Sequence, residues 1–355
     1  GESGSLETVP MLLNNKKSSG GGGAVILSEN GGTLHMYSGI MSDNAAGKYT
    51  VENSGWGGAV HINKGKFVMD HGILSYNECG ANGGAIDVNA GTVEINGGEI
   101  HDNKTPWGGA AANIVKDSKL KMTAGHIHDN LAGDGAAFTI RGYVDMSGGL
   151  IENNHAKKTN NNNGTGGSIW MRKDNPNDEA PTFDMSGGEI VRNVADRIAG
   201  AINVIDGYVV LSNTPKIIGN IQDPDNNPVA SNVYFEDNTD DKIRVTTSLG
   251  DGSVVGVKCP INGAGDQFAY FTGQNLANAS AFKNDNEQSL EGSWYASAST
   301  KIVWQSAQVC KLITQSGTTT YSSLADALAN APSGEAATIE MLQAEYYTSS
   351  PINVD

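Results

Sequence analysis

Seven asparagines, Asn44, Asn77, Asn103, Asn130, Asn154, Asn193 and Asn220, close seven copies of one phrase. The spacings between them are 33, 26, 27, 24, 39 and 27 residues. Residues 83–103 are one copy: GGAIDVNAGTVEINGGEIHDN. A chain that repeats such a unit every 25 residues or so is a solenoid, because no single unit can bury its own apolar side and each must stack on the next.

Each phrase holds three short apolar-x-apolar stretches, the period-two signature of a strand. The first follows the Gly-Ala or Gly-Ser steps at Gly23-Ala24, Gly58-Ala59, Gly84-Ala85, Gly109-Ala110, Gly135-Ala136, Gly167-Ser168 and Gly200-Ala201. The second is LHM (34–36), FVM (67–69), VEI (93–95), LKM (120–122), VDM (144–146), FDM (183–185) and VVL (209–211). The third begins at Ile40, Ile73, Ile100, Ile127, Ile151, Ile190 and Ile217. Together they predict an all-β chain, a right-handed parallel β-helix with three short strands per coil. Unequal coil lengths, with insertions gathered at one place, favour that hand. The asparagines are expected to stack as an internal ladder with their amides bonded along the axis. The 46 glycines belong to the corners.

The repeat sets the domain reading. Residues 1–228 are β-helix coils, with core repeats over 20–222. Residues 229–310 are terminal β coils or a β-rich cap, carrying strands at 232–235, 242–249, 253–259 and 301–304. Residues 311–355 read as a strand-helix-strand unit opening another β-helical module, its helix starting at Ser323 with Asp326 completing a capping box.

Charge excludes some partners. The chain carries 39 acidic and 23 basic residues, a formal net charge of −16, with no Lys/Arg stripe. Nucleic acid and anionic lipid both need a positive field. No apolar run reaches the length of a transmembrane helix, so membrane insertion is not expected. Cys79, Cys259 and Cys310 form no CxxC motif and read as three buried thiols. A monomer is expected.

Insertions fall between each asparagine and the next Gly-Ala step, at 45–56, 78–82, 104–107, 131–134, 155–165 and 194–199, with one more at 173–181. Solenoids bind through such a loop face. The adjoining first strand is expected to turn His61, Asp87, Ala112, Phe138, Trp170 and Asn203 outward. Trp56 and Trp107 end the loops beside it. Trp56, Trp107, Phe138 and Trp170 would then form an aromatic platform in a chain with only 6% aromatic residues, suited to a sugar ring or a partner surface. Asp87, Asp134 and Asp196, with Glu52 and Glu78 near them, are the candidate catalytic carboxylates, since glycosidases use two such groups about 5–10 Å apart. Asp102 and Asp129, and His101 and His128, are expected to stack on neighbouring coils, the histidines as a metal candidate. Asp223, Asp225 and Asn227 alternate as calcium ligands do, and Asp174, Asn177, Asp178 and Glu179 form a second oxygen-rich group. Calcium is the one cofactor these patterns suggest.

The GGA…M.GG.I..N phrase, with SNVYF (231–235) and SSLADAL (322–328) after it, resembles β-helix regions of large surface proteins of Gram-positive bacteria, many of them gut anaerobes. The resemblance covers most of residues 20–355. It implies a secreted or cell-wall-attached protein. Such proteins include adhesin-like stalks and glycan-degrading enzymes, and one β-helix glycosidase family, similar to the lacto-N-biosidases, uses two aspartates. No motif of that family maps onto individual residues of this chain. At one candidate pairing, Asp196 with Asn203, the second residue is an amide that cannot act as acid or nucleophile. The function expected first is a cell-surface β-helix that binds a glycan or another host or bacterial surface ligand. A glycoside hydrolase on the same face is the alternative, and a passive adhesin stalk the third.

Overall fold

The computed structural model describes residues 10–159, 162–236, 242–259, 267–271, 281–285, 292–297, 301–306, 310–321, 324–334 and 336–341. It is a parallel-strand solenoid, nearly all β. The first strand of each repeat pairs in parallel with its counterpart one repeat on, from Val25–Leu27 through Val60–Ile62, Ile86–Val88, Ala112–Ile114, Phe138–Ile140 and Ile169–Met171 to Ile202–Val204 and Val233–Tyr234. The second strands pair likewise from Thr33–Met36 to Ile243–Leu249 and Gln267–Phe271. The third run from Met11–Leu13 to Phe282–Asn284.

Like stacks on like inside. Met36, Met69, Ile95, Met122, Met146, Met185 and Leu211 share one register, matching the second stretch as read from sequence. The third stack is corrected by one residue at its start. Met41 and Leu74, not Ile40 and Ile73, align with Ile100 and Ile127 and are buried with them. A one-residue slip in a strand exchanges its faces, so the residue that is buried decides the register.

The ladder is longer than the phrase that announced it. Each asparagine accepts, through Oδ1, the backbone N–H and the side-chain Nδ2–H of the preceding member. The chain of bonds runs Asn15, Asn44, Asn77, Asn103, Asn130, Asn154, Asn193, Asn220, Asn232, at 2.7–3.1 Å. The second amide hydrogen goes to a carbonyl one coil back, as from Asn130 to Ile100 O at 2.9 Å. Asp285 ends the series, accepting both Asn232 N at 2.7 Å and Asn232 Nδ2 at 2.9 Å. A carboxylate suits this place because the last member needs only to accept. Burial raises the Asp285 pKa.

The corner before each ladder asparagine from Asn15 to Asn220 is left-handed. Asn14, Asp43, Tyr76, Asp102, Asp129, Asn153, Arg192 and Gly219 all have φ between 52° and 73°. Asp and Asn bear that conformation best among residues with a side chain. Asp102 and Asp129 are therefore corner residues. His101 and His128 do stack, with ring centroids 4.9 Å apart and planes 8° from parallel, and each binds its own aspartate at 2.8 and 2.7 Å.

A fourth, two-residue strand was not foreseen. It follows the ladder asparagine and stacks Lys16–Lys17, Ala45–Ala46 and Glu78–Cys79, then Lys104, then Leu131–Ala132, His155–Ala156, Val194–Ala195 and Ile221–Gln222. Past the repeat, Gln267–Phe271 meets Lys301–Ser306 in antiparallel fashion, and that strand pairs with Gly292–Ser297. Cys310–Thr314 is the middle of an antiparallel three-stranded sheet with Gly317–Tyr321 and Thr338–Met341, against which the helix Leu324–Ala329 packs. Ser323 lies outside the described residues. All three cysteines are buried, and none forms a disulfide among the described residues. Among the described residues no helix is long and apolar enough to cross a membrane.

Candidate functional site

The face beside the insertions is set by one corner. Gly83, Gly109 and Gly135 occupy equivalent places, and Gly135 has a φ of 54°. A Cβ at Gly135 would sit 2.4 Å from Phe138 O and 2.9 Å from Trp170 Cβ, so this glycine is required by backbone shape and by space. The position after it accepts alanine, since Gly84, Ala110 and Ala136 are equivalent. Aligning Gly135-Ala136 with Gly84-Ala85 therefore shifts the strand by one residue. Phe138 pairs with Ala112 and Ile169, points inward and is fully buried in the core. The same correction turns Ala112 inward.

The outward row is Ile26, His61, Asp87, Asn113, Thr139, Trp170, Asn203 and Tyr234. Its middle is polar yet buried: His61, Asp87, Asn113 and Thr139 are no more than 6% exposed. His61 Nδ1 lies 2.9 Å from Asp87 Oδ2, while His61 Nε2 meets Asn63 Oδ1 at 2.9 Å. Burial alone would lower the His61 pKa, but the Asp87 carboxylate and the Asn63 hydrogen bond together outweigh it and the net direction is up. Asn113 donates to Asp87 Oδ1 at 2.6 Å and accepts from Arg141 at 2.9 Å. Arg141 donates to Asp174 at 2.7 Å. A continuous polar chain thus runs from His61 to Asp174 across five coils.

That chain surfaces at Trp170. The indole is half-buried, with the Arg141 and Arg172 guanidinium carbons 5.8 and 5.0 Å from its ring centroid. Asp134 precedes in sequence the glycine that abuts Trp170. Its Oδ1 accepts the backbone N–H and the hydroxyl of Thr165, both at 2.9 Å, so it serves the next coil as Asn82 serves Gly108 N. Asp134 is 7% exposed, and burial pushes its pKa up to about 6.

Between pH 3.8 and about 6 the folded chain holds a proton on Asp134 that the unfolded chain has already released. Stability contributed by this group is present below that window, falls as pH rises through it, and stays lowered above it. Asp134→Asn keeps the Oδ1 acceptor and removes the charge. It is expected to raise stability at pH 7 by about 1–2 kcal/mol and to gain little near pH 4, read from denaturant midpoints at both pH values.

The other expected site residues scatter. Trp56 is 41% exposed and bridges Gly21. Trp107 is half-buried, its Nε1 lacking a partner among the described residues. Asn203 is buried one coil beyond Trp170. Asp196 is held by both oxygens, through His155 Nε2 at 2.6 Å and Lys158 N at 2.8 Å. Asp223 accepts from the Asn226 amide at 2.7 Å and from Asn227 N through its carbonyl at 3.2 Å, closing a turn, while Asp225 and Asn227 are exposed. Asp174 and Asp178 pair with Arg141 and Lys116. No group of three or more His, Cys, Asp or Glu is arranged to hold a metal ion among the described residues.

Asn113, Thr139, Arg141 and Arg172 were missed as site residues. The αL glycine was the available signal for the first two, since counting from it puts Asn113 and Thr139 outward. Comparison with protein-family models, with curated proteins and with solved structures returns no match.

Proposed function

We propose that the chain is a right-handed β-helix, three main strands to a coil, that works outside the cell as a glycan-binding surface protein. The ligand docks where the polar row opens at Trp170. One observation carries this: on an outward row that is closed from His61 to Thr139 and again at Asn203, a half-buried indole emerges beside two guanidiniums, Arg141 and Arg172, with Asp174 paired to Arg141. A sugar presents C–H faces and pairs of hydroxyls, and an aromatic edge flanked by planar charged groups answers both. Trp170→Ala is expected to weaken binding to the best ligand of a glycan array at least about tenfold, the loss of one well-placed aromatic contact. Unchanged binding, with the variant still folded, would refute the site.

Glycoside hydrolysis is favoured by a separate observation, the Asp134 pKa of about 6. A carboxyl that keeps its proton near neutrality can act as a general acid. Turnover of a chromogenic oligosaccharide that vanishes in Asp134→Asn, while that variant is more stable, would assign the role. Wild-type chain with no turnover across the panel would leave binding as the activity.

A further inference from the structure

A cluster of four lysines lies on a different row and on earlier coils. The insertion after Asn44 leaves the short fourth strand at Gly47 and returns at Ser54. It is braced by a Lys48–Val51 bridge and by Ser54 Oγ, which accepts from Lys48 N at 3.0 Å and donates to Val51 O at 2.5 Å. It overhangs a cavity of about 610 Å³ lined by Lys16, Lys17, Lys48, Lys104, Tyr49 and Glu78, among others. A second hollow of about 680 Å³ adjoins it, sharing Lys16, Ala45, Glu78 and Lys104 and adding Tyr76 and the carboxylates of Asp43 and Asp102.

Four lysines and one carboxylate line the first hollow, on a chain whose net charge is −16. Glu78 engages Lys104 at 3.0 Å, and Lys104 Nζ also lies 5.6 Å from the Tyr49 ring centroid. Lys17 donates to Gly21 O at 3.2 Å. Lys16 and Lys48 have no ion pair among the described residues. Where lysines outnumber carboxylates in a concave site, the local field favours an anion. The size suits a small ligand, and Tyr49 with the lysine stems gives it an apolar wall. That wall, at Ala45 and Glu78, is already paired on both sides, so it offers no strand edge on which a peptide could add.

We infer that this pocket is a second binding site, one that takes an acidic sugar residue and seats its carboxylate or sulfate among Lys16, Lys17, Lys48 and Lys104. It does not rest on the Trp170 site.

Titration calorimetry with four probes tests it: a uronate-containing disaccharide, a sulfated disaccharide, a neutral disaccharide and a Glu-rich hexapeptide. At least one acidic disaccharide is expected to bind roughly tenfold or more tightly than the neutral one, and to weaken as salt rises from about 50 to 500 mM. The tighter of the two acidic arms names the group. Lys16→Gln with Lys48→Gln should abolish the preference, and Trp170→Ala should leave it intact. Both lysines are exposed and outside the core, so folding is expected to survive, with Tyr49→Ala as a second variant that should weaken both acidic sugars. Equal binding of the neutral sugar, an undiminished preference in the double lysine variant, or the peptide binding as well as the sugars would overturn the inference.

Discussion

Asn130→Ala is expected to destabilise the protein by about 4 kcal/mol, because buried polar groups left without partners cost about 1–3 kcal/mol each. Asn130 accepts from Asn103 N at 3.1 Å and Asn103 Nδ2 at 3.0 Å, and it donates to Asn154 Oδ1, Ile100 O and His128 O at 2.9 Å each. Alanine strips all five bonds at once from the interior of a stack, 1% exposed, where nothing else can turn to replace them. Asn89→Ala is the control. Its side chain is exposed and reaches Asn63 Oδ1 at 3.3 Å, so a change within about 0.5 kcal/mol is expected. Chemical unfolding of both variants checks the contrast. Equal losses would mean that the ladder does not hold the coils together.

The second large effect sits one residue from the proposed ligand face. Phe138→Ala is expected to cost about 3–5 kcal/mol, the range for emptying an aromatic site in a packed core. Phe138 is fully buried between Ala112 and Ile169 in the stack. Thr139→Ala, by contrast, removes a buried hydroxyl that has no partner among the described residues, and should change stability by less than about 1 kcal/mol. Reversed magnitudes in equilibrium unfolding would restore Phe138 to the outer face.

Much of the scaffold was legible because a solenoid writes its core repeatedly. The second-strand stack and the ladder from Asn44 to Asn220 follow from the phrase alone, as does the stacking of His101 on His128. The ladder's ends were not legible. Asn232 follows Asn220 by 12 residues, Asp285 follows Asn232 by 53, and neither sits in the phrase. A ladder member is defined by which backbone amide it receives, and spacing reveals that only while the coil length holds. The fourth strand escaped because two residues carry no periodicity. The site was read less well for a related reason. A Gly-Ala pair looks the same whether its glycine is the left-handed corner or the residue after it, and only the corner fixes which side chains emerge. Arg141 follows the first strand of the preceding coil and approaches Trp170 across coils, a contact that no linear pattern records, whereas Arg172 follows Trp170 by two residues on its own coil.

Scaffold and proposed ligand face are separated by one step of register, with Phe138 inside and Trp170 outside. Unfolding and glycan-array binding, measured together on Phe138→Ala and Trp170→Ala, test it most directly. Phe138→Ala should lose several kcal/mol of stability, and below its unfolding transition it should still bind. Trp170→Ala should keep most of its stability and lose binding about tenfold or more. Binding lost with Phe138 and retained without Trp170 would contradict it.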